Sequence, residues 1–275
     1  MNSHNESHFY IFTQKMATPQ NITLIGAGNV GYHLGRRLHA AGMEIVQVFS
    51  RDAEKARELA EATGAEAATG LEQIQPGASL YILAIADDAI APVAQQLQPK
   101  LTVESAVVHT SGATPSTVLA PYFPKYGIFY PLQTFSRERE PDFSTIPICI
   151  YSPKQELEGQ LAMLGRQVSQ SVHRIDDEQR AVLHVAAVFV NNFSNHLFHI
   201  GQEILNEEQL PFELLLPLIR ETVDKVERHP PKAMQTGPAR RGDQETIIRH
   251  LAYLKKSPNF EKVYKVLTKS IGEIY

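Results

Sequence analysis

The chain has 275 residues, 43% of them hydrophobic and 20% charged, which is ordinary composition for a folded protein and enough length for two domains. A formal net charge of −4 argues against a nucleic-acid binder that works by broad phosphate neutralisation. The single cysteine excludes an intrachain disulfide framework, no zinc cluster is spelled out, and no apolar run approaches the roughly 18 residues that cross a bilayer.

The segment Met1–Gln20 is polar, lacks the pattern of a signal peptide, and reads as a loose extension, with Met16 as an alternative start. Asn21–Ile25 then forms an apolar run that delivers Gly26-Ala27-Gly28-Asn29-Val30-Gly31 into an amphipathic segment ending near Ala41. This G-x-G-x-x-G spacing predicts strand, tight turn and helix. The first glycine permits the turn, the second lets a pyrophosphate approach the backbone, and the third lets helix and strand pack closely. Free N–H groups at the helix start face the phosphates. A second apolar strand, Glu44–Ser50, completes a βαβ unit of the expected length.

That second strand selects the nucleotide. It closes on Ser50-Arg51, where an NAD site usually offers an acid to the ribose 2′-hydroxyl, and a guanidinium suits a 2′-phosphate. The expected cofactor is therefore NADP(H), ahead of NAD(H). Arg51 can also be a solvated residue before a helix cap, and Asp52 can take either the cap or the ribose.

Helix Asp52–Thr63 and a short strand at Ala65–Thr69 follow. Leu80–Ile85 is a continuous apolar run, as in a strand buried on both faces of a parallel sheet. Its carboxyl end, Ala84-Ile85-Ala86, is placed against the cofactor, since open α/β sheets bind ligands at that edge. Asp87 and Asp88 either border the nicotinamide or, the favoured reading, cap the next helix.

The next strand, Ser105–Val108, ends in His109-Thr110-Ser111-Gly112 at the same edge. A titratable ring, two hydroxyls and a glycine that permits close approach make this a candidate catalytic and substrate-binding cluster, although Thr110 and Ser111 also suit a plain turn. Pro121, Pro124 and Pro131 punctuate what reads as a loop through Tyr126–Phe135. Strand, helix and strand are expected at Pro147–Tyr151, Gln155–Val168 and Ser171–Ile175, with Cys149 a buried, inert thiol.

From Asp177 the pattern is helical, with breaks at Pro211, Pro230-Pro231 and Pro258. Asp177–Leu205 reads as one long helix with Val185, Ala186, Phe189, Val190, Phe193, Leu197 and Ile200 on its apolar face. His184, Asn191, Asn195 and His199 lie opposite, and Asn192 stands at the edge. His184 and Asn192 lie about 12 Å apart along that helix. Arg240 and Arg241, within Thr236–Asp243, can bind a substrate's anionic group or stay in solvent while Asp243 caps a helix.

The glycine motif, His109–Gly112, Tyr130-Pro131-Leu132-Gln133-Thr134-Phe135, His184–Val188 with Asn192-Phe193, and Thr236–Asp243 together resemble the Rossmann-like NADP oxidoreductases whose helical C-terminal domain has no assigned function. That family is remotely similar to pyrroline-carboxylate, ketopantoate, 6-phosphogluconate and hydroxyisobutyrate enzymes. The resemblance implies an α/β doubly wound domain, 21–175, and an all-helical domain, 176–275, that supplies homodimer contacts. It departs at Tyr130, where the family usually has histidine, and on the long helix, where His184 stands without the lysine of many hydroxyacid dehydrogenases.

The expected protein is a cytoplasmic reductase acting on a small carbonyl or imine compound, without metal, nucleic acid or membrane. His109 or His184 would handle the proton, Asn192 and Ser111 the substrate. The alternatives are a non-catalytic NADP sensor or scaffold, and a deazaflavin-dependent dehydrogenase.

Overall fold

The structure, a computed structural model, describes residues 18–275. The expectations for the first 17 residues, including the alternative start, lie outside the described residues. The chain divides into two compact units, one ending at Phe189 and the other Val190–Tyr275. The division falls inside a helical run, beyond the last strand of the sheet.

The first unit is built on an eight-stranded sheet of order β3-β2-β1-β4-β5-β6-β7-β8. Its strands are β1 (Asn21–Ile25), β2 (Glu44–Phe49), β3 (Glu66–Ala68), β4 (Leu80–Leu83), β5 (Ala106–His109), β6 (Lys125–Pro131), β7 (Ile148–Tyr151) and β8 (Val172–Arg174). All neighbours are parallel except β6 and β7. The chain leaves β1 for β2 on one side and reaches β4 on the other, so a crevice opens beyond the carboxyl ends of β1 and β4.

Both faces of the sheet are covered, which explains the unbroken apolar runs. Leu80 and Ile82 of β4 point into a core shared with α1 (Asn29–Ala40), α2 (Ala53–Thr63) and α4 (Gln155–Val168). Tyr81 and Leu83 point the other way, into a core with α3 (Ile90–Leu97) and Leu119 and Phe123. Capping chemistry sets the helix ends: Asp52 accepts from the N–H groups of Glu54 and Lys55, and Gly64 closes α2 at φ +68°.

Three sequence expectations change. The Tyr126–Phe135 stretch, read as a loop, holds all of β6 except its first residue, Lys125. Gly127 is needed inside that strand because a Cβ there would meet the Tyr151 carbonyl oxygen at 2.3 Å. Pro131 is tolerated because pairing with β5 stops at Ile128, leaving only β7 beside the strand's end. The long helix is continuous but not uniformly α: α5 (Asp177–Ala187) and α6 (Ser194–Glu207) are joined by a π-helical turn, Val188–Phe193. The wider turn shifts the helical phase, so the apolar stripe does not run straight through it. Finally, Asp87 and Asp88 do not cap a helix through their side chains. A tight 3-10 turn begins there with Ala86 as its N-cap, and the carboxylates stay exposed.

The C-terminal unit is helical, including α7 (Leu216–Arg228) and helices Gln244–Leu254 and Pro258–Ile274. Asp243 caps the first of these two by accepting from the Thr246 N–H at 3.0 Å. Only Ile200, Ile247 and Leu254 are buried apolar residues in this unit, whereas Val190, Leu214, Leu218, Ile248 and Val266 are each more than 60% exposed. Among the described residues, no helix is long and apolar enough to cross a membrane.

Candidate active site

The glycine loop follows β1, and each glycine has a distinct geometric reason. Gly26 adopts φ +113°, and a Cβ there would lie 2.2 Å from the Ala84 carbonyl oxygen. A Cβ on Gly31 would lie 2.0 Å from the carbonyl oxygen of Gly26. Both therefore serve the turn and the helix packing. Gly28 differs: nothing stands within 4 Å of where its Cβ would be. Its open side belongs to a cleft of about 1150 Å³ also lined by Ala27, Asn29 and Val30, ample for a dinucleotide.

Phe49, Ser50, Arg51 and Asp52 line the same cleft. Asp52 is already engaged: besides capping α2 it pairs with Lys55 at 3.0 Å, and those hydrogen bonds from Lys55 hold its carboxyl below the ordinary carboxylate range. Ser50 Oγ accepts from the Asp52 N–H at 3.2 Å. Arg51 is exposed, and Lys55 adds a second cation to the cleft wall. Lys55 was missed in the sequence because it looks like any helix-surface lysine.

Ala84-Ile85-Ala86, Asp87 and Asp88 continue the wall, followed by Thr110, Ser111, Gly112 and His184. His184, on α5, is half-buried, and Gly112 makes room for it: a Cβ there would meet His184 Nδ1 at 2.5 Å and Tyr130 Oη at 2.9 Å. Two polar side chains from distant parts of the chain thus share a niche that only glycine leaves open. His184 Nδ1 is buried and has no hydrogen-bond partner among the described residues. Burial holds the Tyr130 hydroxyl above its ordinary pKa. Tyr130, which stands where the family usually has histidine, lies beside the candidate histidine.

His109 is placed differently. Its ring is fully buried at the end of β5, with Nδ1 accepting from the Ser111 N–H at 3.2 Å and Nε2 3.4 Å from the Pro115 carbonyl oxygen. Burial first, then the nearby Arg180 guanidinium, lowers its pKa to about 4, so the ring is neutral near pH 7 and donates through Nε2. Ser111 Oγ accepts from the Ala113 and Thr114 N–H groups at 3.1 and 2.9 Å, which leaves its hydroxyl proton free to point elsewhere.

Next to these residues lies a charge pair whose cation is fully buried, invisible in the sequence. Arg180 is fully buried, 2.8 Å from Asp177, and also donates to the Thr114 carbonyl oxygen. The Asp177 carboxylate accepts from the Ser116 N–H and hydroxyl at 2.8–2.9 Å. Burial opposes ionisation of Asp177, but the Ser116 donors and Arg180 outweigh it and lower its pKa. The pair fixes the start of α5 to the loop after β5, and so sets where His184 stands over Gly112. By spacing alone, Asp177 and Arg180 look like an exposed i,i+3 pair.

The other candidates lie in the C-terminal unit. Asn192 is exposed in the π-helical turn, and Arg240 and Arg241 are exposed in the short helix Pro238–Arg241. Arg240 donates to the Gln235 carbonyl oxygen and stacks 5.7 Å from the Tyr275 ring centroid. Cys149 is buried, and burial pushes its thiol up to about 11, so it is inert at neutral pH.

A glycine loop, the two cations Arg51 and Lys55, and a polar niche thus lie along one cleft of a Rossmann-type fold in the first unit. Residues 21–112 match the family described as NADP oxidoreductase coenzyme F420-dependent, and residues 146–271 match a domain of unknown function. A crystal structure of a "putative NADP oxidoreductase" from Bacteroides fragilis is 43% identical with a TM-score of 0.88, covering 92% of this chain and 98% of that one. The chain belongs to this family of NADP oxidoreductases. In fold alone, it is similar to a Thermotoga maritima protein at 22% identity and TM-score 0.70, over 92% of this chain and 97% of that one. A pyrroline-5-carboxylate reductase from Coxiella burnetii shares 17% identity with TM-score 0.58, over 94% and 99%. No curated protein matches the chain.

Proposed function

We propose that the protein is an NADPH-dependent reductase of a small carbonyl or imine compound. The observation that carries this reading is the single cleft whose wall includes both the glycine loop and His184. The open side of Gly28 fits a pyrophosphate, and Arg51 and Lys55 fit a 2′-phosphate better than a bare ribose hydroxyl. When bound, the nicotinamide supplies the hydride.

The proton is the chain's task. With Nδ1 sealed against Gly112 and Tyr130, Nε2 is the ring atom of His184 able to exchange a proton with the substrate. The free hydroxyl proton of Ser111 serves as a donor to the substrate's reacting heteroatom. His109, neutral and held by two backbone groups, acts as a positioning residue for the Ser111 turn rather than as the acid. The broad apolar exposure of the C-terminal unit supports a homodimer through its helices, and the buried unpaired thiol supports a reducing compartment such as the cytoplasm.

Titration with NADPH and NADH, followed by a screen of 2-keto acids and cyclic imines for loss of NADPH absorbance, tests this. NADPH is expected to bind more tightly, and His184→Ala to keep that affinity while losing about 10²- to 10⁴-fold in turnover. A wild-type protein that binds neither nucleotide would overturn the reading. The description of the family matched by residues 21–112 favours a second reading, in which a deazaflavin exchanges hydride with NADP. Bleaching or recovery of deazaflavin absorbance on mixing with NADP(H) would select it.

A further inference from the structure

The segment after β6 does more than connect strands. Residues 135–137 are bound to the glycine loop and α1 at three points: Asn29 Nδ2 donates to the Phe135 carbonyl oxygen at 2.9 Å, His33 Nε2 lies 2.8 Å from the Ser136 carbonyl oxygen, and Arg137 Nη2 donates to the Ala27 carbonyl oxygen at 2.7 Å. The guanidinium is itself held in place. Its carbon sits 4.4 Å from the Tyr32 ring centroid, and its other arm pairs with Glu58 on α2. Arg137 is only 23% exposed and does not line the cleft, so it reaches the loop from outside the nucleotide's path.

The contact with Ala27 has a directional consequence. A trans peptide is planar, and its C=O and N–H point in opposite directions. Fixing the Ala27 carbonyl toward Arg137 therefore fixes the Gly28 N–H away from it. Gly28 is the loop residue with open space on its Cβ side, in the cleft. A cationic donor on the carbonyl also polarises that peptide, making its N–H a better donor to an anion.

We propose that Arg137 is a positioning residue for the cofactor pyrophosphate: it sets and polarises the Ala27–Gly28 peptide so that the Gly28 N–H is presented to phosphate oxygen. This rests on the nucleotide reading above and adds to it a residue more than 100 positions from the glycine motif in sequence. Through residues 131–137 it also links the pyrophosphate loop to the strand end that carries Tyr130.

Calorimetry with three probes separates this role from general bracing. NADPH and ADP-ribose contain a pyrophosphate, and adenosine 2′-monophosphate does not. Arg137→Met should weaken NADPH and ADP-ribose about tenfold or more while leaving adenosine 2′-monophosphate unchanged. Glu58→Gln, which removes the ion pair but not the Ala27 contact, should leave all three affinities within about threefold. Equal weakening of all three probes by Arg137→Met, no weakening of any, or the same selective loss in Glu58→Gln would overturn the proposal. If Arg137→Met does not fold, Arg137→Lys decides by the same comparison, since it loses the planar fork. A wild-type protein that binds none of the probes would instead overturn the nucleotide reading itself, whereas wild-type binding that Arg137→Met does not alter refutes only this inference.

Discussion

The two glycines Gly28 and Gly31 should separate cofactor binding from folding when each is replaced by alanine. At Gly31 a Cβ would sit 2.0 Å from the Gly26 carbonyl oxygen, far inside any tolerable contact, and the atom in its way is backbone. Helix α1 would have to move off β1, an overpacking cost of about 1–3 kcal/mol or more. At about 2–4 °C per kcal/mol for a domain of this size, melting should fall by several degrees. At Gly28 the geometry is opposite. Its φ of −70° and ψ of −172° suit alanine, and its Cβ would meet nothing within 4 Å. The entropic gain of about 0.4–1 kcal/mol roughly offsets the poorer helix N-cap. Melting should stay within a few degrees of wild type. The new methyl group would nonetheless occupy the side from which a pyrophosphate approaches, and losing even one charge-assisted bond of about 1.5–3 kcal/mol lowers NADPH affinity tenfold or more. Differential scanning calorimetry and NADPH titration on both variants measure the two effects. Gly28→Ala retaining wild-type affinity, or Gly31→Ala melting with the wild type, would refute the reasoning.

Three further outcomes are expected. Arg51→Ala and Lys55→Ala should each weaken NADPH by roughly fivefold, about 1 kcal/mol, and leave NADH unchanged; calorimetry showing equal loss for both nucleotides would remove the 2′-phosphate assignment. His109 titrates near 6.5 when unfolded and about 4 when folded, so the unfolded chain binds the extra proton. Its contribution is whole above about pH 6.5 and is lost as pH falls toward about 4, by up to roughly 1.4 kcal/mol per pH unit. Urea melts of wild type and His109→Gln at pH 7, 6 and 5 should therefore converge at low pH, and parallel curves would contradict the buried neutral ring. Light scattering at micromolar concentration should give twice the chain mass, and Leu218→Glu with Val266→Glu should return it to one; a monomeric wild type would leave the exposed apolar residues unexplained.

Local chemistry made much of the nucleotide unit legible in the sequence. Three glycines at fixed spacing, an apolar run on each side, and caps such as Asp52 and Asp243 act over a few residues, so their meaning survives without neighbours. The continuous run Leu80–Ile85 announced a strand covered on both faces, as β4 is. What depended on distant partners was not legible. Gly127 and Pro131 signal a loop until β7 supplies the carbonyl and the strand end that make them fit in β6. His109 and His184 are equivalent imidazoles in the sequence; burial beside Arg180 makes one neutral and enclosed, and the space left by Gly112 puts the other on the cleft wall. Arg180 looks like a surface charge until Asp177, Ser116 and Thr114 enclose it, and Arg137 like a solvated arginine until it meets Ala27. Backbone conformation is chosen by near neighbours along the chain, whereas protonation, exposure and hydrogen-bond partnership are chosen by whatever the fold brings within a few ångströms, and those are the properties that make a side chain functional.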